Sequence, residues 1–119
     1  MAPSERPASD KINLLPGTLE LIVLRILTVM GAQHAYAIAT RIEHAAATPT
    51  RLNQGSLYPA LVRLEQKGWI KGAWRVTENN REARYYAITK AGTRALAAEV
   101  DRWERSTSLV NRLLTSEGE

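Results

Sequence analysis

The chain contains no cysteine, which excludes disulfides, a thiolate switch and every zinc site built with sulfur ligands. Its two histidines, His34 and His44, have no third ligand at suitable spacing, so neither a metal site nor another cofactor is expected. A membrane-length apolar run is missing too. The stretch 19–30 falls short of the roughly 18 residues a span needs, and Glu20 and Arg25 interrupt it. No signal-peptide pattern opens the sequence and no internal repeat is visible, so a cytoplasmic protein without membrane attachment is expected. A catalytic apparatus is equally missing. Ser56 sits in no nucleophile-elbow context and has no histidine partner placed by sequence. Glu99, Asp101 and Glu104 share their helix with arginines that neutralise them, as on an ordinary solvated face. The expectation is a protein that is not an enzyme.

What the chain does have is a basic block. Its 119 residues make one domain, large enough for a core. The formal net charge is +4 but is unevenly spread. From Arg51 to Arg94, nine basic residues face only Glu65, Glu78 and Glu82. Concentrated positive charge inside a folded domain favours a polyanion such as double-stranded DNA, the alternative being a merely solvated surface.

Hydrophobic periodicity places the elements. Leu19, Ile22, Val23, Ile26, Leu27 and Met30 form a helical stripe, with Thr18 as the expected cap and Gly31 as the stop. Tyr36, Ile38, Ala39, Ile42 and the alanines to Ala47 form a second helix, broken at Thr48-Pro49-Thr50. A third helix runs from Gln54 to Lys67. Its expected N-cap is Ser56, with Pro59 in the first turn, core positions at Leu57, Leu61 and Leu64, and Gly68 as a stop. Ile70, Gly72, Trp74 and Val76 alternate with Lys71, Ala73 and Arg75, the period of a strand. A polar tip over residues 78–82 leads to a second strand at residues 84–88, and Thr89 caps a final helix reaching about Leu114. Gly92 in its first turn should weaken that helix slightly. Trp69 and Trp74 are expected in the domain core.

In the last helix Leu96, Val100, Trp103, Thr107, Val110 and Leu114 follow heptad spacing. A helix of some 25 residues extends about 37 Å, beyond a compact domain of this size. The first helix with the segment 12–15 offers one cover for that seam and a second copy of the chain offers another, and the second copy is the expectation. The fold class is therefore mainly α with a small β-hairpin: a winged helix-turn-helix plus a long C-terminal dimerisation helix. Residues 1–13 form a mobile tail, 14–89 the winged domain, and 90–119 the dimerisation helix with a short tail.

Four blocks in order resemble the PadR family of bacterial transcriptional repressors. They are Leu15-Pro16-Gly17-Thr18-Leu19-Glu20-Leu21; His34-Ala35-Tyr36-Ala37-Ile38; Gly55-Ser56-Leu57-Tyr58-Pro59-Ala60-Leu61 with Arg63-Leu64-Glu65 and Gly68-Trp69-Ile70; and Arg84-Tyr85-Tyr86 with Thr89-Lys90-Ala91-Gly92. The chain resembles the short branch, with one C-terminal helix. It departs from the family at Ala35, where glycine is usual, and at the wing tip, where Asn79-Asn80-Arg81-Glu82-Ala83 replaces a Gly/Pro-rich basic tip and Glu78 and Glu82 dilute the charge.

The resemblance implies a homodimeric repressor on a pseudo-palindromic operator, with the third helix in the major groove. Gln54 is the best candidate for direct readout, because an amide can bond adenine N6 and N7 together. Asn53 and Ser56 are weaker candidates. Tyr58 and Arg63 are expected at phosphates, as are the flanking Arg51 and Lys67. Arg81 and Arg84 are the expected wing contacts, although Arg84 could instead pair with Glu82 or Glu78. Leu96, Val100, Trp103, Val110 and Leu114 are the expected dimerisation residues. The family's small aromatic effectors imply a slot at Trp103 and its symmetry mate, with intersubunit packing as the plainer reading. The alternative function is a winged-helix protein-interaction module without sequence-specific DNA binding.

Overall fold

The computed structural model describes residues 11–12, 14, 16–47 and 49–116, with backbone alone at Lys11, Ile12, Pro16 and Gln54. Along them run β1 (Lys11–Ile12), α1 (Pro16–Met30), β2 (Gln33–His34), α2 (Ala35–Ala45), β3 (Arg51–Leu52), α3 (Gln54–Gln66), β4 (Ile70–Val76), β5 (Glu82–Ile88) and α4 (Lys90–Thr115). Most of the expected tail lies outside the described residues, as do Leu15, Thr48 and residues 117–119. Pairing nevertheless begins before the expected boundary at Asn13. Lys11 and Ile12 align in parallel with Arg51 and Leu52, and β2, β5 and β4 form an antiparallel sheet in that order. Both short pairings join residues distant in sequence, so no local periodicity announces them.

The helix starts correct two expectations. α1 begins at Pro16, not after a Thr18 cap, because proline's fixed φ and missing N–H suit the first helical position. α3 is capped by Asn53 rather than Ser56. Asn53 Oδ1 accepts the Gly55 N–H at 3.0 Å and its carbonyl accepts the Ser56 N–H at 2.9 Å, so helical bonding is under way before Ser56. Pro59 consequently stands inside the helix, past the first turn. It leaves the Gly55 carbonyl without its helical donor. His34 caps α2, its Nδ1 accepting the Ala37 N–H at 3.2 Å, and Thr89 caps α4 as expected. Gly31 and Gly68 adopt φ of +80° and +77°, the left-handed turn that ends a helix at low cost in glycine.

The core joins α1, α2 and α3 to the sheet through Leu19, Val23, Leu24, Ile38, Leu57, Leu61, Leu64 and Ile70, all buried. α4 adds Leu96 and the half-buried Val100, which were expected in the dimer seam but pack against this chain's own cluster, because the first turns of α4 lie on the domain. Beyond them the helix leaves the domain. Its 26 residues span about 39 Å, and Trp103, Leu109, Val110, Leu113 and Leu114 are exposed.

Buried Glu20 spans α1 and α3. Its carboxylate accepts from Arg63 Nε at 2.6 Å and from Lys67 Nζ at 3.1 Å, while Lys67 also lies 4.6 Å from the Trp69 ring centre. A carboxylate withdrawn from water needs such donors, and this pair fixes α3 against α1. At the far end, Glu43 Oε2 accepts the Leu52 N–H at 2.7 Å, tying α2 to the strand before α3.

Candidate nucleic-acid interface

With Leu57, Ala60, Leu61 and Leu64 turned into the core, α3 presents Gly55, Tyr58, Pro59, Val62 and Gln66 outward. This face is less polar than the sequence suggests. Tyr58 and Val62 are both about half exposed. Val62 is a residue that sequence reasoning missed, and an apolar side chain on such a face matches a thymine methyl group in the major groove. The Gln54 side chain lies outside the described residues, although its backbone is the first residue of α3. Asn53 is committed to the cap, and Ser56 is half-buried inside the first turn.

Beside α3 a cleft of about 400 Å³ is lined by His34, Tyr36, Tyr58, Trp74, Arg84 and Tyr86, among others. Trp74 was expected in the core and is 65 % exposed. Alternation does put it on the same strand face as Ile70 and Gly72, but at Trp74 that face borders the open cleft and not the packed core. Tyr36, read from the sequence as part of the α2 stripe, is 73 % exposed at the start of that helix. His34 meets the edge of Tyr85, ring centres 5.1 Å apart, and so joins α2 to the sheet. A second cleft, between α2 and the wing tip, shares His34, Tyr36, Glu82 and Ala83 with the first and extends the concave surface to Arg81.

The wing tip is a tight three-residue loop. Thr77 N–H donates to the Arg81 carbonyl at 2.7 Å, Asn80 N–H donates to the Thr77 carbonyl at 2.9 Å, and Asn80 takes a left-handed φ of +61°. Asparagine tolerates that conformation better than most residues. The geometry leaves the Arg81 side chain exposed.

Arg84 behaves differently from Arg81. Its Nη2 donates to Glu65 Oε2 at 2.6 Å, so its ion-pair partner comes from α3 and not from the neighbouring Glu82 or Glu78. That hydrogen bond pushes the guanidinium pKa still higher and holds the charge. Arg84 lies about 6 Å from the centres of both Trp74 and Tyr86. Burial raises the Tyr86 pKa, so the hydroxyl remains neutral. Of the cations expected at phosphates, Arg63, Lys67 and Arg84 therefore have carboxylate partners inside the domain, while Arg51 and Arg81 are exposed.

A capped helix beside an exposed wing, on a three-helix scaffold with a long final helix, is also what comparison with known proteins returns. Residues 23–98 match the family model described as the transcriptional regulator PadR-like family. The chain belongs to that family. Family members bind DNA as transcriptional regulators and are not enzymes. Among solved structures, a PadR-like transcriptional regulator from Bacillus cereus is 28 % identical, with 85 % of this chain and 95 % of that one covered and a TM-score of 0.70. A transcriptional regulator from Clostridium thermocellum is 27 % identical, covering 81 % and 92 %, with a TM-score of 0.71. A PadR family regulator from Eggerthella lenta is 28 % identical, covering 87 % and 84 %, with a TM-score of 0.66. An uncharacterised protein from Lysinibacillus sphaericus is 23 % identical over 99 residues, covering 83 % of this chain and 90 % of its own. The mainly helical winged fold agrees with these PadR neighbours. No helix among the described residues is long and apolar enough to cross a membrane.

Proposed function

We propose that this PadR-family regulator is a cytoplasmic repressor that binds a pseudo-palindromic operator as a homodimer. The observation that carries the reading is the gathering of Tyr36, Tyr58, Trp74 and Arg81, all exposed, from α2, α3 and the wing onto one concave surface. A phosphate backbone passing between a helix in the major groove and a wing would meet ring edges and hydroxyls there. In this reading Gln54 reads a base, Asn53 and Ser56 assist from the helix start, and Tyr58, Arg51 and Arg81 hold backbone. Arg63, Lys67 and Arg84, each paired with a carboxylate, act as supports for α3 and the wing.

Duplexes enriched by the protein from a random library should carry two-fold symmetric half-sites about one helical turn apart. If the dimer neutralises roughly six to ten phosphates, affinity should fall steeply with salt. A salt-insensitive, patternless pool would instead favour a protein-interaction module. Arg81→Ala should weaken binding to every duplex and lower the salt slope by about two per dimer. Gln54→Ala should relax preference at one position of each half-site. A uniform loss from Gln54→Ala would make Gln54 a backbone contact.

Trp103 is half exposed on α4, beside the start of α1, and two copies facing across a two-fold axis would make a slot for a flat aromatic effector. Such a molecule relieves repression only through different affinities for two dimer arrangements. An aromatic compound that quenches tryptophan emission and releases DNA should do neither with Trp103→Ala. Retention of both responses would remove Trp103 from the effector site.

A further inference from the structure

The wing is held to the recognition helix at one carboxylate. Glu65 Oε2 accepts from the Gly72 N–H on β4 at 3.3 Å and from Arg84 Nη2 on β5 at 2.6 Å. Both strands of the hairpin therefore hang on a side chain of α3. Gly72 and Arg84 belong to cross-strand pairs two positions apart, Gly72 opposite Tyr86 and Trp74 opposite Arg84, with Ala73 opposite Tyr85 between them. The guanidinium lies back over Gly72: a Cβ there would fall 2.5 Å from Arg84 Nε and 2.8 Å from its Cζ. Glycine at this strand position leaves the path along which Arg84 reaches Glu65, a close approach that glycine permits.

We propose that Glu65, Gly72 and Arg84 form a latch that sets the angle between α3 and the wing, and so the place where the wing meets DNA. The inference rests on the DNA-binding reading above and deepens it. Glu65 and Arg84 are positioning residues, since each has its charge occupied by the other. β2 holds the hairpin from the α2 side by pairing with β5 at Tyr85 and Tyr86. Glu65 holds both strands from the α3 side, so the angle between α3 and the wing is set at that carboxylate. The latch acts on the wing alone, because α3 is separately fixed by its leucines and by Glu20.

The test uses Glu65→Gln, Arg84→Gln and Gly72→Ala on a duplex enriched by the wild-type protein. Methylation protection at guanine N7 reports the helix in the major groove. Hydroxyl-radical protection of the flanking sugars reports the wing. All three variants should keep the first pattern and lose or displace the second, with thermal melts and helical signal near wild type. Gly72→Ala added to Glu65→Gln should cause no further loss, because both break one latch. Unchanged footprints in the variants would overturn the latch, and so would equal loss of both patterns, which marks general unfolding. A wild-type protein that enriches no duplex would overturn the DNA reading and the latch with it.

Discussion

Gly92→Ala should lower the stability of the domain by about 2–3 kcal/mol, although alanine is the better helix former by roughly 1 kcal/mol. The added Cβ would fall 2.1 Å from the Trp69 carbonyl oxygen, 2.9 Å from its carbon and 2.8 Å from Ile88 Cγ1. Backbone atoms cannot swing aside as a side-chain tip can. The surroundings are also held fast. Thr89 N–H donates to the same Trp69 oxygen at 3.0 Å, Thr89 Oγ1 donates to the Gly68 carbonyl at 2.7 Å, and the Gly92 N–H donates to Thr89 Oγ1 at 3.0 Å. Relief requires the first turn of α4 to lift from the sheet, which withdraws Leu96 and Val100 from the core. Urea denaturation should show a lower midpoint with an unchanged slope. A midpoint at or above that of wild type would show that the junction yields easily.

Val110→Asp combined with Leu114→Asp should convert the dimer to a monomer and weaken operator binding on the order of a hundredfold or more. Both side chains are exposed on the part of α4 that leaves the domain, so the pair costs the monomer's core nothing. Across a two-fold interface each new carboxylate would lose water without gaining a cation. The two half-sites would then be bound independently, and the gain from linking them would vanish. Sedimentation should give the mass of one chain, while the monomer keeps its wild-type melting behaviour and salt-sensitive binding to random duplex. A double variant that still sediments as a dimer would move the interface elsewhere.

Repeating patterns made much of the fold legible. The helical spacing of Leu57, Leu61 and Leu64 predicted three buried leucines, and all three are buried. The same holds for the alternating hairpin, the Thr89 cap and the long final helix, since each depends on neighbours within a few residues. The four motif blocks led to the right family. What went unread depends on partners far apart in the chain. The pairing of β1 with β3 joins residues 40 positions apart. The α3 cap is a local exception: Asn53 Oδ1 takes the Gly55 N–H two residues on, so the helix starts before Ser56. Trp74 has core periodicity yet is exposed, because alternation assigns a face but not how far the neighbouring layer extends. Gly92 illustrates the gap most sharply: propensity counts it as a small defect, whereas contact with the Trp69 backbone makes it a requirement.

The basic block shows where sequence ends and tertiary structure begins. Composition alone established that cations outnumber acids from Arg51 to Arg94 and that a polyanion suits them. Periodicity established a helix followed by a hairpin to present them. Which cations are paired was decided by the fold, since an ion pair forms only where two faces meet. Glu20 lies 43 residues from Arg63, and Glu65 lies 19 from Arg84. Packing brought those carboxylates to α3 and the wing. It thereby gave Arg63, Lys67 and Arg84 carboxylate partners and left Arg81, with the rings of Tyr36, Tyr58 and Trp74, on the open surface.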